Sequence, residues 1–295
     1  MKIFAIDIGS NSVRLACIAD GKTLFKRLET TRLGEGLSKT GKLSAGAIER
    51  TASAVSNFAE FAEKEGADKL YVFATAAVRS AENGAEFTAR VKELCGITVD
   101  VISGETEAMC GILGALRGND GGIIDVGGAS TEVTVQYGGK TVYAKSLNVG
   151  AVRLFDLAGR DKAKLEKVIK EKISDYGDFH LNCRSERSEE PRMFAIGGTA
   201  TTLASVKHGL KVYDPAITDG TVLTQNEVKE LSEKFLRLSV EEVRALDGME
   251  PRRADVIGGG CLLLYNVMKH FSINEITVSE SDNLEGYVLL KEGGF

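Results

Sequence analysis

Proline is scarce, at 3 of 295 residues, against 33 glycines. That balance disfavours rigid proline-built connections and favours many tight, glycine-shaped loops. The five cysteines, at 17, 95, 110, 183 and 261, include no Cys-x-x-Cys pair and are odd in number. They exclude a disulfide framework and read as reduced thiols of a cytoplasmic protein, mostly small core residues. Basic residues are not in excess: 37 Lys and Arg face 42 Asp and Glu, a net charge of −5. No basic stripe therefore points to nucleic acid. No stretch approaches the roughly 20 apolar residues that span a membrane. The start, Met1 to Asp7, does not read as a signal peptide, because Asp7 interrupts the apolar run too early.

What is present is ordinary for a globular protein, with 43% hydrophobic and 27% charged residues. At this length two domains are expected. The chain is organised around Ile123-Ile124-Asp125-Val126-Gly127-Gly128-Ala129-Ser130-Thr131-Glu132. An apolar strand ends in an acid, a loop of small residues follows, and alternation returns a second strand. Successive glycines let the backbone approach a ligand and turn several N–H groups toward one anion. Ser130 and Thr131 add hydroxyls. Asp125 and Glu132 suit a phosphate site only if a divalent cation bridges the charges.

The pattern occurs twice. Ile6-Asp7-Ile8-Gly9-Ser10-Asn11-Ser12 aligns with Ile124 to Ser130 at a constant offset of 118 residues. One Asp-x-Gly hairpin is usually only a tight turn. Two copies after apolar strands point to two related domains facing across a cleft.

Strands are expected over Lys2–Ile8, Val13–Ala19, Thr23–Thr30, Leu70–Ala74, Thr98–Ile102, Thr141–Leu147, Arg192–Ile196 and Glu275–Ser279. Ser44 reads as the N-cap of a helix closed at Gly66, whose inner face is Ile48, Ala52, Val55, Ala59 and Ala62. Thr75–Arg79 reads as a loop at the carboxyl end of a strand, where ligands of open α/β sheets gather. Helices are expected over Ala85–Cys95 and Glu105–Leu116, with Glu107 in the latter's first turn. There an acid also simply suits the helix dipole. Asp161–Ser174 reads as a charged helix with a solvated face, and Ser185–Pro191 as a surface excursion. Gly197 to Thr202 opens a helix whose N-terminus favours an anion, which puts Gly198 and Thr199 among the phosphate-binding candidates. Thr224 with Glu227 and Ser239 with Glu242 form capping boxes. Gly258-Gly259-Gly260 reads as a turn before a helix at Cys261–Lys269, since each helical glycine costs roughly 1 kcal/mol against alanine. Leu284–Leu290 is expected to be the last helix.

Taken in order, these segments resemble the exopolyphosphatase / guanosine pentaphosphate phosphohydrolase family, of the actin–hexokinase–chaperone ATPase superfamily. The resemblance is carried by Asp7 to Arg14, Leu33 to Leu37, Ala74 to Arg79, Ser103 to Ala108, Asp125 to Glu132, Gly150 to Leu154, Gly197 to Thr202 and Arg253 to Ile257. It implies an α/β fold of two ribonuclease-H-like (actin-like ATPase) domains with a cleft between them. These would be residues 1–119 and 120–282, with a C-terminal helix in 283–295 packing back on the first. It implies hydrolysis of a terminal phosphoanhydride of polyphosphate or guanosine pentaphosphate, with Mg²⁺ or Mn²⁺ as cofactor. A homodimer is implied because relatives form them; no nucleic-acid or membrane partner is expected.

By the resemblance Glu107 is the catalytic glutamate and Arg79 the loop arginine that neutralises developing charge. Asp125 and Glu132 hold the metal, with Asp7 facing it from the other domain. Gly9, Ser10, Asn11, Ser12, Gly127, Gly128 and Ser130 cradle phosphates. The chain departs from the family pattern at Ala129 (usually Gly), at Thr106 (usually acidic), and in Asp282-Asn283-Leu284, where Gly-Leu-Arg is usual. Longer relatives add an HD-type domain; the three histidines here, 180, 208 and 270, form no His-Asp pair and read as structural or surface residues. Two other functions stay open at this point. One is a kinase or ATPase with Gly258-Gly259-Gly260 as the adenine-side loop. The other is a non-catalytic sensor of guanosine tetra- or pentaphosphate.

Overall fold

The computed structural model of the protein describes residues 1–177, 179 and 191–293. The first sheet contains β1 (Lys2–Ile8), β2 (Ser12–Ala19), β3 (Lys22–Thr30), β4 (Lys69–Ala74) and β5 (Asp100–Val101), in the order β3-β2-β1-β4-β5. The first three form an antiparallel meander, and β4 and β5 continue parallel to β1. The second sheet contains β6 (Gly121–Val126), β7 (Thr131–Tyr137), β8 (Lys140–Leu147), β9 (Met193–Ile196), β10 (Val222–Thr224) and β11 (Glu275–Val278). Its order is β10-β11-β9-β6-β7-β8. Here too a meander comes first, then β9 and β11 in parallel, with β10 added antiparallel at the edge. Each sheet has the ribonuclease-H-like arrangement.

The central strands β1 and β6 are covered on both faces. Their residues are therefore apolar almost throughout, as strands with parallel neighbours require. The helix Ala45–Lys64 lays Ile48, Ala52, Val55 and Phe58 on the first sheet. Its cap is Ser44, whose hydroxyl accepts from Ala47 N–H, and Gly66 follows its end at φ +74°. The charged helix Lys162–Ile173 buries only Leu165, Ile169 and Ile173, one stripe at helical spacing. Both expected capping boxes form, at Thr224 with Glu227 and at Ser239 with Glu242.

The helix Asn283–Glu292 crosses back to the first sheet. Leu284, Tyr287 and Val288 join Ile3, Ala5, Phe73, Ile102 and Cys110 in one apolar cluster. The Tyr287 ring stacks on Phe73 with centroids 4.2 Å apart, and its hydroxyl donates to Asp100 Oδ2 at 2.6 Å. Gly286 lies directly under the Cys110 carbonyl, where any Cβ would overlap backbone.

Three expectations are corrected. Gly258-Gly259-Gly260 is not a turn: all three lie inside the helix Ile257–His270. The reason is packing. A Cβ on Gly258 would stand 2.8 Å from Leu236 Cδ2, and one on Gly260 would stand 3.0 Å from Ala151 Cβ. Close helix contacts override propensity there. Thr75–Arg79 is not wholly loop, because Ala76–Ser80 forms a short helix. The strand expected over Thr98–Ile102 shortens to Asp100–Val101. Residues 185–190 of the expected surface loop, together with His180 and Cys183, lie outside the described residues.

Candidate active site

The two glycine loops have the same internal geometry. Gly9 N–H donates to the Ser12 carbonyl at 3.0 Å, and Gly127 N–H donates to the Ser130 carbonyl at 3.1 Å. The hairpins share one register as well: Asp7 stands opposite Arg14, and Asp125 opposite Glu132. The loops meet across the interface between the sheets. A Cβ on Gly128 would lie 2.7 Å from Ser10 Cβ, so glycine is what permits the approach.

Between them is a cavity of about 100 Å³. Its wall includes Asp7, Gly9, Ser10, Asn11 and Ser12 from the first half and Gly127, Gly128 and Ser130 from the second. Glu107, Asp125, Gly198 and Thr199 also line it. The structure thus gathers all but two of the candidate residues around one space. The exceptions are Arg79 and Glu132, which stand behind it.

Glu107 is placed by the helix Gly104–Leu116, whose N-cap Ser103 accepts from Thr106 N–H. Its carboxyl is 6% exposed and is gripped by Arg79, Nη1 to Oε2 at 3.0 Å. The same Arg79 nitrogen donates to the Ile102 carbonyl at 2.8 Å, which fixes the guanidinium behind the acid. Burial raises the Glu107 pKa to about 7, although the charge of Arg79 opposes the rise.

Asp125 is the next-to-last residue of β6, and burial raises it to about 7 against the pull of Arg14. Asn283 donates to its Oδ2 at 3.0 Å. Gly197, at φ +77°, lies against its Oδ1, where a Cβ would intrude to 2.6 Å. Glu132 is pushed well above the usual carboxylate range by burial, and Glu107 and Asp125 add to the push. Ser146 Oγ donates to its Oε1 at 2.6 Å. Asp7 is also raised by burial, against Arg14, which pairs with its Oδ2.

Four buried acceptors around the cavity lack a hydrogen-bond partner among the described residues: Asp7 Oδ1, Asn11 Oδ1, Glu132 Oε2 and Asn283 Oδ1. Oxygen acceptors left open among four raised carboxyls are the donor set a hard divalent cation prefers. The described residues contain no ready-made cage of three or more His, Cys, Asp or Glu side chains. A cation held by one or two carboxylates and completed by water and substrate phosphate fits this inventory, as is usual for Mg²⁺.

Thr199 is partly committed elsewhere, since its hydroxyl donates to the Val126 carbonyl at 2.8 Å. Gly198 leaves room for the Arg253 guanidinium, which a Cβ would overlap. Sequence reasoning did not place Arg14, Arg253, Thr75 or Asn283 in the site, yet all line the cavity. A signal for Arg14 existed: closing the Gly9–Ser12 hairpin puts it opposite Asp7. None existed for Asn283, which reaches Asp125 from 158 positions away.

Among curated proteins, the chain is 30% identical to Exopolyphosphatase 2 of Mycobacterium tuberculosis, covering 99% of both. It is 30% identical to the bifunctional 3-dehydroquinate synthase/phosphatase of Fusobacterium nucleatum, covering 97% of this chain but 46% of that protein. It is 27% identical to the guanosine-5'-triphosphate,3'-diphosphate pyrophosphatase of Vibrio cholerae, covering 96% of this chain and 58% of that one. The chain therefore spans about half the length of two of these relatives and nearly all of the third. Among solved structures, an exopolyphosphatase-like protein superposes with a TM-score of 0.88 at 27% identity, covering 99% of each chain. A family model described as the Ppx/GppA phosphatase family matches residues 14–293. With paired glycine loops, a buried glutamate between them and that match across the chain, this protein belongs to the Ppx/GppA phosphatase family.

Proposed function

We propose that this protein hydrolyses a terminal phosphoanhydride bond of inorganic polyphosphate or guanosine pentaphosphate. The observation that carries the reading is Glu107: a buried carboxyl at the cavity wall, with its pKa near 7, facing two phosphate-sized loops. A general base works best when its pKa lies near the working pH. The names of the mycobacterial and Vibrio relatives support the substrate class. The kinase alternative loses the feature it needed, since Gly258-Gly259-Gly260 is helical and forms no loop.

In this mechanism the two loops bind the terminal and penultimate phosphates through N–H groups that follow Gly9 and Gly127, whose own N–H groups close the loops. Ser10, Ser12 and Ser130 add hydroxyl donors, and the turn at Gly198 and Thr199 offers a helix N-terminus. Glu107 orients the attacking water and accepts its proton at the carboxylate. Arg79 touches Glu107 rather than the cavity, so its role is to hold that carboxyl in place and in its ionised form. Phosphoryl transfer asks mainly for positioning and charge stabilisation. Asp125 and Glu132 would hold a Mg²⁺ or Mn²⁺ ion, with the unpaired Asp7 Oδ1 as a further oxygen ligand. When bound, that ion neutralises charge on the transferring phosphoryl group.

We assign the halves 1–119 and 120–282 as the two domains, with the last helix belonging to the first. The described residues contain no helix long and apolar enough to cross a membrane. A cytoplasmic location suits the thiols and the substrates.

The test is phosphate release with Mg²⁺ from long-chain polyphosphate, guanosine pentaphosphate and ATP side by side. Release from either of the first two, lost in Glu107→Gln, supports the reading. Release from ATP alone, or tight guanosine-nucleotide binding with no turnover, defeats it.

A further inference from the structure

A second cavity, of about 670 Å³, opens beside the first and shares Arg14, Gly197, Gly198 and Arg253 with it. A substrate that extends past Arg14 from the first cavity would enter this space. Its lining carries five cationic side chains and four carboxylates, so it is close to neutral. The wall also offers apolar surface from Tyr213, Leu246, Met249 and Pro251, set among the charges.

One residue accounts for much of that neutrality. Asp282 Oδ2 accepts from Arg14 Nη1, and Asp282 Oδ1 lies 3.7 Å from Lys26 Nζ. Its carboxyl is 5% exposed, while Arg14 and Lys26 keep 18% and 25% of their side chains open. Asp7 holds Arg14 from the other side, and Glu285 Oε1 holds Lys26 at 2.9 Å. The two cations at the passage are thus already paired before any substrate arrives. A long polyanion gains little from cations committed to buried carboxylates, and it meets the carboxylates themselves. A nucleoside loses nothing there and can lay its base on this apolar surface, as small-molecule pockets commonly allow.

We propose that Asp282 is a specificity-determining residue, selecting substrates that end in a nucleoside beyond the reacting phosphates over long linear polyphosphate. This rests on the hydrolase reading above and narrows its substrate class.

The test uses Asp282→Asn and Asp282→Ser, because both replacements can still cap the helix that Asp282 begins. Removing the charge should lower KM for long-chain polyphosphate roughly tenfold, as expected when Arg14 and Lys26 each lose one of two carboxylate partners and a buried negative charge leaves the passage. The ratio of kcat/KM for long-chain polyphosphate to kcat/KM for guanosine pentaphosphate should rise by about the same factor. Calorimetric binding of long-chain polyphosphate, which needs no turnover, should tighten by the same factor. Lys26→Met should leave long-chain affinity unchanged, since that cation is already paired. Unchanged long-chain affinity in both Asp282 variants overturns the proposal. So does an equal improvement for both ligands, or a large affinity loss in Lys26→Met. If affinity shifts as expected but neither substrate releases phosphate, the hydrolase reading fails and the role of Asp282 stands.

Discussion

Arg14 and Glu132 occupy the same place in the two halves of the molecule. Each stands opposite the next-to-last residue of the central strand, an aspartate in both halves, Arg14 against Asp7 and Glu132 against Asp125. The repeated hairpin therefore carries opposite charge. The first copy is an ion pair, neutral within itself. The second sets two acids side by side, an arrangement that costs stability unless a proton or a cation sits between them. That asymmetry favours the second half as the place where a divalent ion would be held.

Replacing Glu107 by Gln keeps the shape of the side chain but removes the base. Turnover should fall by roughly 10²- to 10⁴-fold, the usual contribution of a positioned general base. Substrate binding, followed by calorimetry, should change by less than tenfold. A variant that keeps wild-type phosphate release would remove Glu107 from the mechanism.

The Glu107 pKa of about 7 sets an acid limb in the rate profile. Because the base must be ionised, kcat/KM should drop about tenfold per pH unit below that value. Arg79 lowers this pKa, so Arg79→Ala should move the limb to higher pH. Profiles of the two proteins at fixed Mg²⁺ concentration check the direction. A limb that stays put or moves to lower pH contradicts the pairing.

Stability should also follow these acids. Glu107, Asp125 and Glu132 hold their protons more tightly in the folded chain than in the unfolded one. Between the unfolded carboxyl range near pH 4 and the folded values, the native state binds more protons. The stabilising contribution of Glu107 and Asp125 is therefore full below about pH 4 and lost as pH rises through about 7, and that of Glu132 is lost in the same direction. Without divalent cations, Tm should fall by several degrees between pH 5.5 and pH 8. Millimolar Mg²⁺ or Mn²⁺ should recover part of the loss at pH 8, because an ion that binds only the folded state raises Tm. Thermal melts at both pH values, with and without metal, decide this. A Tm that rises with pH in metal-free buffer would show that the cluster is not strained by its charge.

Gly286→Ala should destabilise the fold by about 3 kcal/mol or more, the upper range for overpacking. The new methyl would overlap the Cys110 carbonyl, and backbone on both sides leaves no flexible side chain to yield. Urea titration measures the change. A loss under 1 kcal/mol would mean that the last helix is not firmly seated on the helix Gly104–Leu116.

The sequence by itself determined the repeated strand–loop–strand unit, its offset of 118 residues, and most of the helices. These depend on neighbours along the chain: apolar alternation, capping residues such as Ser44 and Thr224, and glycines that end helices. The place of Glu107 in the first turn of a capped helix was legible for the same reason, while its role as a candidate came from the family resemblance. Tertiary structure alone decided three things. It kept Gly258, Gly259 and Gly260 helical, with neighbouring side chains packed close against Gly258 and Gly260. It turned Arg79 from the cavity to the back of Glu107, because the Ile102 carbonyl and the Glu107 carboxylate both take its guanidinium. It brought Asp282 and Asn283 to Arg14 and Asp125 across 268 and 158 positions. Contacts of that range leave no period or spacing in a sequence; they exist only once two sheets have closed on one cleft.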